Sequence, residues 1–325
     1  MKAIVRDTYG SADVLRLEDI EPPTIAADEV LIRVGASSIN AGDKLVMQGV
    51  PYLMRLMTGL RRPKTRGLGQ DVAGTIEAVG AGVTEWSVGD EVFGEVTFGE
   101  TWAELAVAKA NVLGRKPPSL SFEEAASLPL AAITALCAVR DHGKIKPGQR
   151  VLVNGGSGSV GSYVVQMAKA HGAEVTAVCS TRHHERAREL GAAHVIDYAT
   201  QDYVASGQTW DLILDVAGTR TLAENRTVLA PRGAYIAIGG PVDESLLGPM
   251  PRLAYLALAN LFTKQRIVVF VSDPSRDNLD ALTEMIATGT LVPAFEERCT
   301  LAQIPERMRA VESGEVRGKV VVTVS

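Results

Sequence analysis

Residues 151–161 read VLVNGGSGSVG, four glycines in eleven positions at the end of an apolar run. Gly156, Gly158 and Gly161 fit G-x-G-x-x-G, and Gly155 with the last two fits G-x-x-G-x-x-G. The weight of the pattern comes from its context, because the β-rich "RVLVNG" leads into it and the helical stretch "GSYVVQMAKAHG" leads out. Glycines at such a turn permit a tight bend, close approach of the main chain to a pyrophosphate, and close packing of helix on strand. The helix N-terminus adds free N–H groups and the positive end of its dipole. The loop from Gly155 and Gly156 through Ser157, Gly158, Ser159 and Val160 to Gly161 is therefore expected to hold a dinucleotide.

Beyond the loop, strand and helix patterns alternate: "EVTAVCS", "RHHERARELGA", "HVIDY", "WDLILDVAG", "LAENRTVLA" as helix, and "GAYIAIGG". The strand "RIVVFVSD" and the helix "RDNLDALTEMIATG" add one more unit. This alternation predicts a parallel, doubly wound α/β sheet with helices on both faces. The second strand ends about 20 residues after the loop, where an NAD site places a carboxylate on the ribose 2′-hydroxyl. Here stand Cys179, Ser180, Thr181 and Arg182. Ser180 can hydrogen-bond a 2′-phosphate and Arg182 can neutralise it, so NADP(H) is the expected cofactor.

Upstream, to about residue 115, the chain shows short β-rich runs broken by Gly, Pro and Asp, with no long helical period. Ser121, with Glu124 three residues on, forms a capping-box signature before an alanine-rich connector. At 325 residues the chain exceeds the usual size of a single core. The expected division is 1–122 as a β-rich domain, 123–290 as the dinucleotide-binding domain, and 291–325 as a tail returning to the first.

A net charge of −5 gives no basic field for nucleic acid. The N-terminus lacks the apolar core of a signal peptide, and no apolar run reaches the ~18 residues of a membrane span. A cytoplasmic protein with no membrane partner is expected. Cys137, Cys179 and Cys299 are too scattered for a disulfide framework or zinc cluster. All five histidines lie between His142 and His194, so the N-terminal third contains neither imidazole nor thiol for a zinc site or histidine acid.

Several segments, in one order, carry a family resemblance: "SSINAGDKLVMQG", "GLGQDVAGTIEAVGAGV", "VGDEVFGEV", "FEEAASLPLAAITAL", the glycine loop, "ELGAAHVIDY" and "GEVRGKVVV". Together they resemble the medium-chain dehydrogenase/reductase superfamily, in its zinc-free quinone oxidoreductase (zeta-crystallin-like) branch. The resemblance implies a GroES-like catalytic domain plus a Rossmann domain, with cofactor and substrate in the cleft between them. In the zinc-dependent members a cysteine and a Gly-His-Glu motif hold the metal. The corresponding places here carry Asn40 and Gln70 with Asp71, and neither amide is a serviceable zinc ligand.

The resemblance further implies that Asn40 lines the active site near the nicotinamide, with Asp43 bracing its loop and Tyr52 in the pocket. It puts Thr134 at the nicotinamide end, Tyr198 near the adenosine 2′-phosphate and Gly239 and Gly240 under the cofactor, and it counts Lys319, in a tail reaching the cleft, among the cofactor-binding residues. The segment "GVPYLMRLMTGLRRPKTRG" departs from the shorter, proline-rich passage usual in the family and borders the expected substrate mouth. Without metal or histidine acid, hydride delivery from NADPH to a quinone or enone is the expected chemistry. Oxyanion charge would be met by Asn40, Tyr52 or water. Reduction of an enoyl thioester and non-catalytic NADPH binding remain alternatives. Relatives pair the apolar edge strand "RIVVFVSD" across a twofold axis, so a homodimer is expected.

Overall fold

The computed structural model describes residues 1–240, 250–260, 263–316 and 318–324. Residues up to Ile133 and from Pro274 onward form one compact unit, and the described residues between Thr134 and Asp273 form the other. The sequence-based division falls at 122/123 and 290/291, whereas the helix Arg276–Ala287 falls in the first unit.

In the first unit the strands are β1 (Lys2–Val5), β2 (Arg16–Asp19), β3 (Glu29–Ile39), β4 (Asp71–Val79), β5 (Glu91–Glu95), β6 (Leu105–Lys109) and β7 (Leu113–Arg115). From the chain end come β14 (Glu297–Thr300) and β15 (Val320–Thr323). Seven of them form one sheet in the order β14-β15-β3-β4-β5-β7, with β6 also paired to β3. Alternation in β3 turns Val30, Ile32 and Val34 into a core with Val72, Ile76 and Trp102. At the tail β15 runs antiparallel to β3, setting Val320 opposite Ile39 and Val321 opposite Ser38. That register carries Lys319 to the end of β3, where Asn40 follows. The sequence pattern gives no helix here, yet Ala41–Gln48 is helical and closed by Gly49 at φ 63°. Two turns are too short to show a period; the legible sign is N-x-x-D, since the Asn40 N–H donates to Asp43 Oδ2 at 2.7 Å.

The second unit holds β8 (Arg150–Asn154), β9 (Glu174–Cys179), β10 (His194–Asp197), β11 (Trp210–Asp215), β12 (Leu229–Ala237) and β13 (Arg266–Val269). All neighbours are parallel, in the order β10-β9-β8-β11-β12-β13. The order reverses beside β8, the switch point at which doubly wound sheets bind ligands. β12 begins at Leu229, inside a stretch whose pattern suggests helix; its pairing with Trp210 overrides local propensity.

Asp215, at the end of β11, is fully buried and ties three strand ends together. It accepts from Asn154 Nδ2 at 2.8 Å, the Tyr235 hydroxyl at 2.6 Å and the Gly218 N–H at 2.8 Å. Asp215→Ala strands these donors in the interior and should lower stability by about 3 kcal/mol or more. The urea-unfolding midpoint of the purified variant checks this; an unchanged midpoint would contradict it.

Candidate functional site

The glycine loop lies between β8 and the helix Gly161–Ala170. Gly155 takes φ 85°, and a Cβ on Gly161 would come within 2.0 Å of the Gly155 carbonyl oxygen. A Cβ on Gly156 would meet the Ala177 Cβ of β9 at 2.8 Å. Side chains at these places would collide with the turn's own main chain and with β9, so the tight turn requires glycine. The N–H groups of Gly155 and Gly156 donate to Val178, while those of Ser157, Ser159 and Val160 have no main-chain acceptor among the described residues. These N–H groups, at the start of a ten-residue helix, suit a dinucleotide's phosphates.

The other cofactor candidates of this unit stand on the same edge of the sheet. Ser180 and Arg182 follow β9, Tyr198 follows β10, and Gly239 and Gly240 follow β12. A Cβ on Gly239 would reach within 2.2 Å of the Val216 carbonyl oxygen, and Gly240 takes φ 142°. Arg182 is exposed, and Nε donates to His183 Nε2 at 2.9 Å. Its Nη groups have no partner among the described residues. Sequence reasoning does not single out Asp197, at the end of β10 and opposite Cys179 in register. The Thr181 hydroxyl donates to its Oδ2 and the Ala199 N–H to its Oδ1 at 3.0 Å. The Thr181 hydroxyl, with the Ala199 N–H second, holds this carboxyl below its usual range. Thr134 sits in the helix Pro129–Leu136.

In the first unit Asn40, Asp43 and Lys319 come together around Asp71, the first residue of β4. Lys319 Nζ and the Asp71 carboxylate are wholly buried and 2.6 Å apart. Asn40 bridges them: Oδ1 accepts from Lys319 Nζ at 2.5 Å, and Nδ2 donates to Asp71 Oδ2 at 3.0 Å. Asp71 also accepts from the Ser38 hydroxyl at 2.5 Å and the Leu130 N–H at 2.9 Å. Gln70 Nε2 donates to Asp43 Oδ1 at 3.1 Å. Asn40, Gln70 and Asp71 thus join Asp43 in a closed hydrogen-bonded network around a lysine ammonium. Among the described residues no cluster of three or more His, Cys, Asp or Glu could hold a metal ion. Tyr52 stands outside this network, 44% exposed, with the Arg55 guanidinium 4.6 Å from its ring centre.

Two neighbouring acids carry unusual protonation. Burial pushes the Asp43 carboxyl up to about 7, against the Asn40 and Gln70 donors that favour its charge. Burial, helped by the negative charge of Asp71 on the paired strand, lifts Glu95 from 4.5 to about 7, and Glu95 Oε2 has no hydrogen-bond partner. An acid whose folded pKa is raised contributes stability below its unfolded pKa and loses it as pH rises through the folded value. Between pH 4.5 and about 7, Glu95 should therefore erode stability. Wild-type melting temperature should fall more steeply across that window than that of Glu95→Gln; equal slopes would contradict the assignment.

Comparison with known proteins agrees with this architecture. Residues 26–120 match the alcohol dehydrogenase GroES-like domain and residues 190–322 match the zinc-binding dehydrogenase model. The chain is 34% identical over 357 residues to NAD(P)H oxidoreductase RTN4IP1, mitochondrial, of Mus musculus, spanning 100% of this chain and 89% of that protein. Among solved structures it is similar to the quinone oxidoreductase from Coxiella burnetii, with TM-score 0.87, 28% identity and coverage of 100% and 99%. It is also similar to CurK enoyl reductase, with TM-score 0.86, 26% identity and coverage of 100% and 99%. The chain belongs to the medium-chain dehydrogenase/reductase superfamily, in its zinc-free quinone oxidoreductase branch, and is an oxidoreductase of GroES-like plus Rossmann-type fold that uses a nicotinamide cofactor.

Proposed function

We propose that this oxidoreductase is a zinc-independent, NADPH-dependent reductase that transfers hydride to a quinone or to the activated double bond of an α,β-unsaturated carbonyl. The observation that carries the reading is the Asn40–Asp71–Lys319 network, in which the positions of the family's metal ligands are committed to one another. Such a site offers little to polarise a plain alcohol or ketone. An acceptor carbon that is already electron-poor needs chiefly to be held in place.

Bound NADPH supplies the hydride. Ser157, Ser159 and Val160 would receive its phosphates through their N–H groups, with Ser180, Arg182 and Tyr198 at the adenosine 2′-phosphate. Thr134, Gly239 and Gly240 would lie along the rest of the molecule. The preference for NADPH rests on the two unengaged Nη groups of Arg182 and on the engagement of Asp197 by Thr181 and Ala199. Asn40, Asp43 and Lys319 act as positioning residues: Asn40 spends its carbonyl on Lys319 and its amide on Asp71, and Asp43 fixes the Asn40 main chain. Tyr52, exposed and outside the network, is a candidate to donate a proton to the product; solvent is the other source. A homodimer through the exposed edge of β13 fits this reading, since among the described residues β13 pairs only with β12 and leaves Val269 exposed.

Reduction of an enoyl thioester is the second reading, favoured by the likeness to an enoyl reductase and by the exposed Arg61, Arg62 and Lys64. Steady-state kinetics with a short quinone, a short enone and an enoyl-CoA decide between them, with NADPH and NADH and in the presence of EDTA. The expected result is quinone or enone turnover with NADPH that persists under chelation. Arg182→Ala should raise KM for NADPH about tenfold or more, the loss of one charge-assisted contact, and leave NADH unchanged. Equal loss for both cofactors would refute the 2′-phosphate assignment. Turnover of the enoyl-CoA alone would establish the second reading, and tight NADPH binding with no turnover would mark a non-catalytic binding protein.

A further inference from the structure

From Lys44 to Gln70 the chain carries six Lys and Arg residues and no Asp or Glu, within a protein of net charge −5. The segment's apolar side chains are not packed away: Leu56, Met57 and Leu60 are 62%, 66% and 67% exposed, and Tyr52 and Leu53 are also exposed. The side chains of Arg61, Arg62 and Lys64 are exposed, without hydrogen-bond or ion-pair partners among the described residues.

The backbone beneath is anchored. The Arg55 guanidinium lies 4.4 Å from the Tyr9 ring centre and donates through Nε to the Gly49 carbonyl at 2.9 Å. The Tyr9 hydroxyl donates to the Gly59 carbonyl at 2.8 Å, and the Lys64 N–H to the Thr58 carbonyl at 2.7 Å. Inward groups thus fix the turn while the leucines, the methionine and the unpaired cations point to solvent. Apolar side chains flanked by unneutralised Lys and Arg have the composition of an interfacial element: the former enter the acyl boundary and the latter meet anionic headgroups. A second copy of the chain is a poor occupant, because it would bring three unpaired cations against three more.

We infer that residues 53–64 form a membrane-docking surface that binds peripherally to a bilayer containing anionic lipid. Among the described residues no helix is long and apolar enough to cross a membrane, so the attachment is to one face. The inference departs from the sequence-based expectation of no membrane partner. It stands independently of the acceptor, since binding is read without cofactor or substrate.

The test is flotation of the full chain with vesicles of phosphatidylcholine alone or mixed with phosphatidylglycerol. Partition onto the anionic vesicles should exceed that onto neutral ones by about tenfold or more and should decline with salt. Both the Arg61→Gln/Arg62→Gln/Lys64→Gln and the Leu56→Ser/Met57→Ser proteins should lose most of it while keeping the wild-type melting temperature. In Leu56→Trp, emission should shift to the blue on adding anionic vesicles, against three native tryptophans that are all buried. Absence of binding to anionic vesicles, or binding that neither multiple variant weakens, would overturn the proposal. So would a soluble dimer that Leu56→Ser/Met57→Ser dissociates without any vesicle binding.

Discussion

The buried pair of Asp71 and Lys319 is the constraint around which the first unit's site is arranged. An ammonium and a carboxylate removed from water cost several kcal/mol each unless they face one another with their remaining valences filled. Here Asn40, Ser38 and the Leu130 N–H fill them. The pair joins residues 248 apart in sequence. It can form only because β15 returns to β3 in the register that places Lys319 beside Asn40, so the tail is a structural part of the site. In this chain the Lys319 ammonium supplies the positive charge at the centre of the network, and an ammonium has no competence as a Lewis acid.

The second unit solves a different problem. All its strands point the same way, so their C-terminal ends bring the glycine loop, Ser180, Tyr198 and Gly239 to one edge. Asp215 and Asn154 lock the ends of β8, β11 and β12, and the glycines then let main chain come close where a Cβ would collide. Rigidity comes from the buried hydrogen bonds, and access comes from the missing side chains.

Much of this was legible in the sequence. The glycine loop and the alternation after it are local patterns, and their periods survive in the structure as β8 to β13. The capping box at Ser121 and Glu124 also reads directly, with Glu124 N donating to Ser121 Oγ at 3.2 Å and Ser121 N to Glu124 Oε2 at 2.8 Å. The family resemblance picks out Asn40 and Lys319, but nothing local says that they touch one another or Asp71. That contact depends on strand register, which one sequence does not encode locally. The helix Ala41–Gln48 escapes notice because two turns have no period to detect. The raised acids Asp43 and Glu95 escape because burial, the larger cause in both, is a tertiary property. Composition showed the cations of residues 44–70, whereas their lack of partners and the exposure of Leu56, Met57 and Leu60 needed the fold.

A double-mutant cycle on Asp71→Asn and Lys319→Met, followed by urea unfolding at neutral pH, tests the central claim most directly. If the pair is the organising constraint, Lys319→Met alone should cost about 3–5 kcal/mol by leaving a buried carboxylate without its counter-charge. The double variant should then lose much less than the sum of the two single losses, a coupling of about 2 kcal/mol or more. Additive losses, with coupling near zero, would show that the two groups are stabilised independently and would contradict the account.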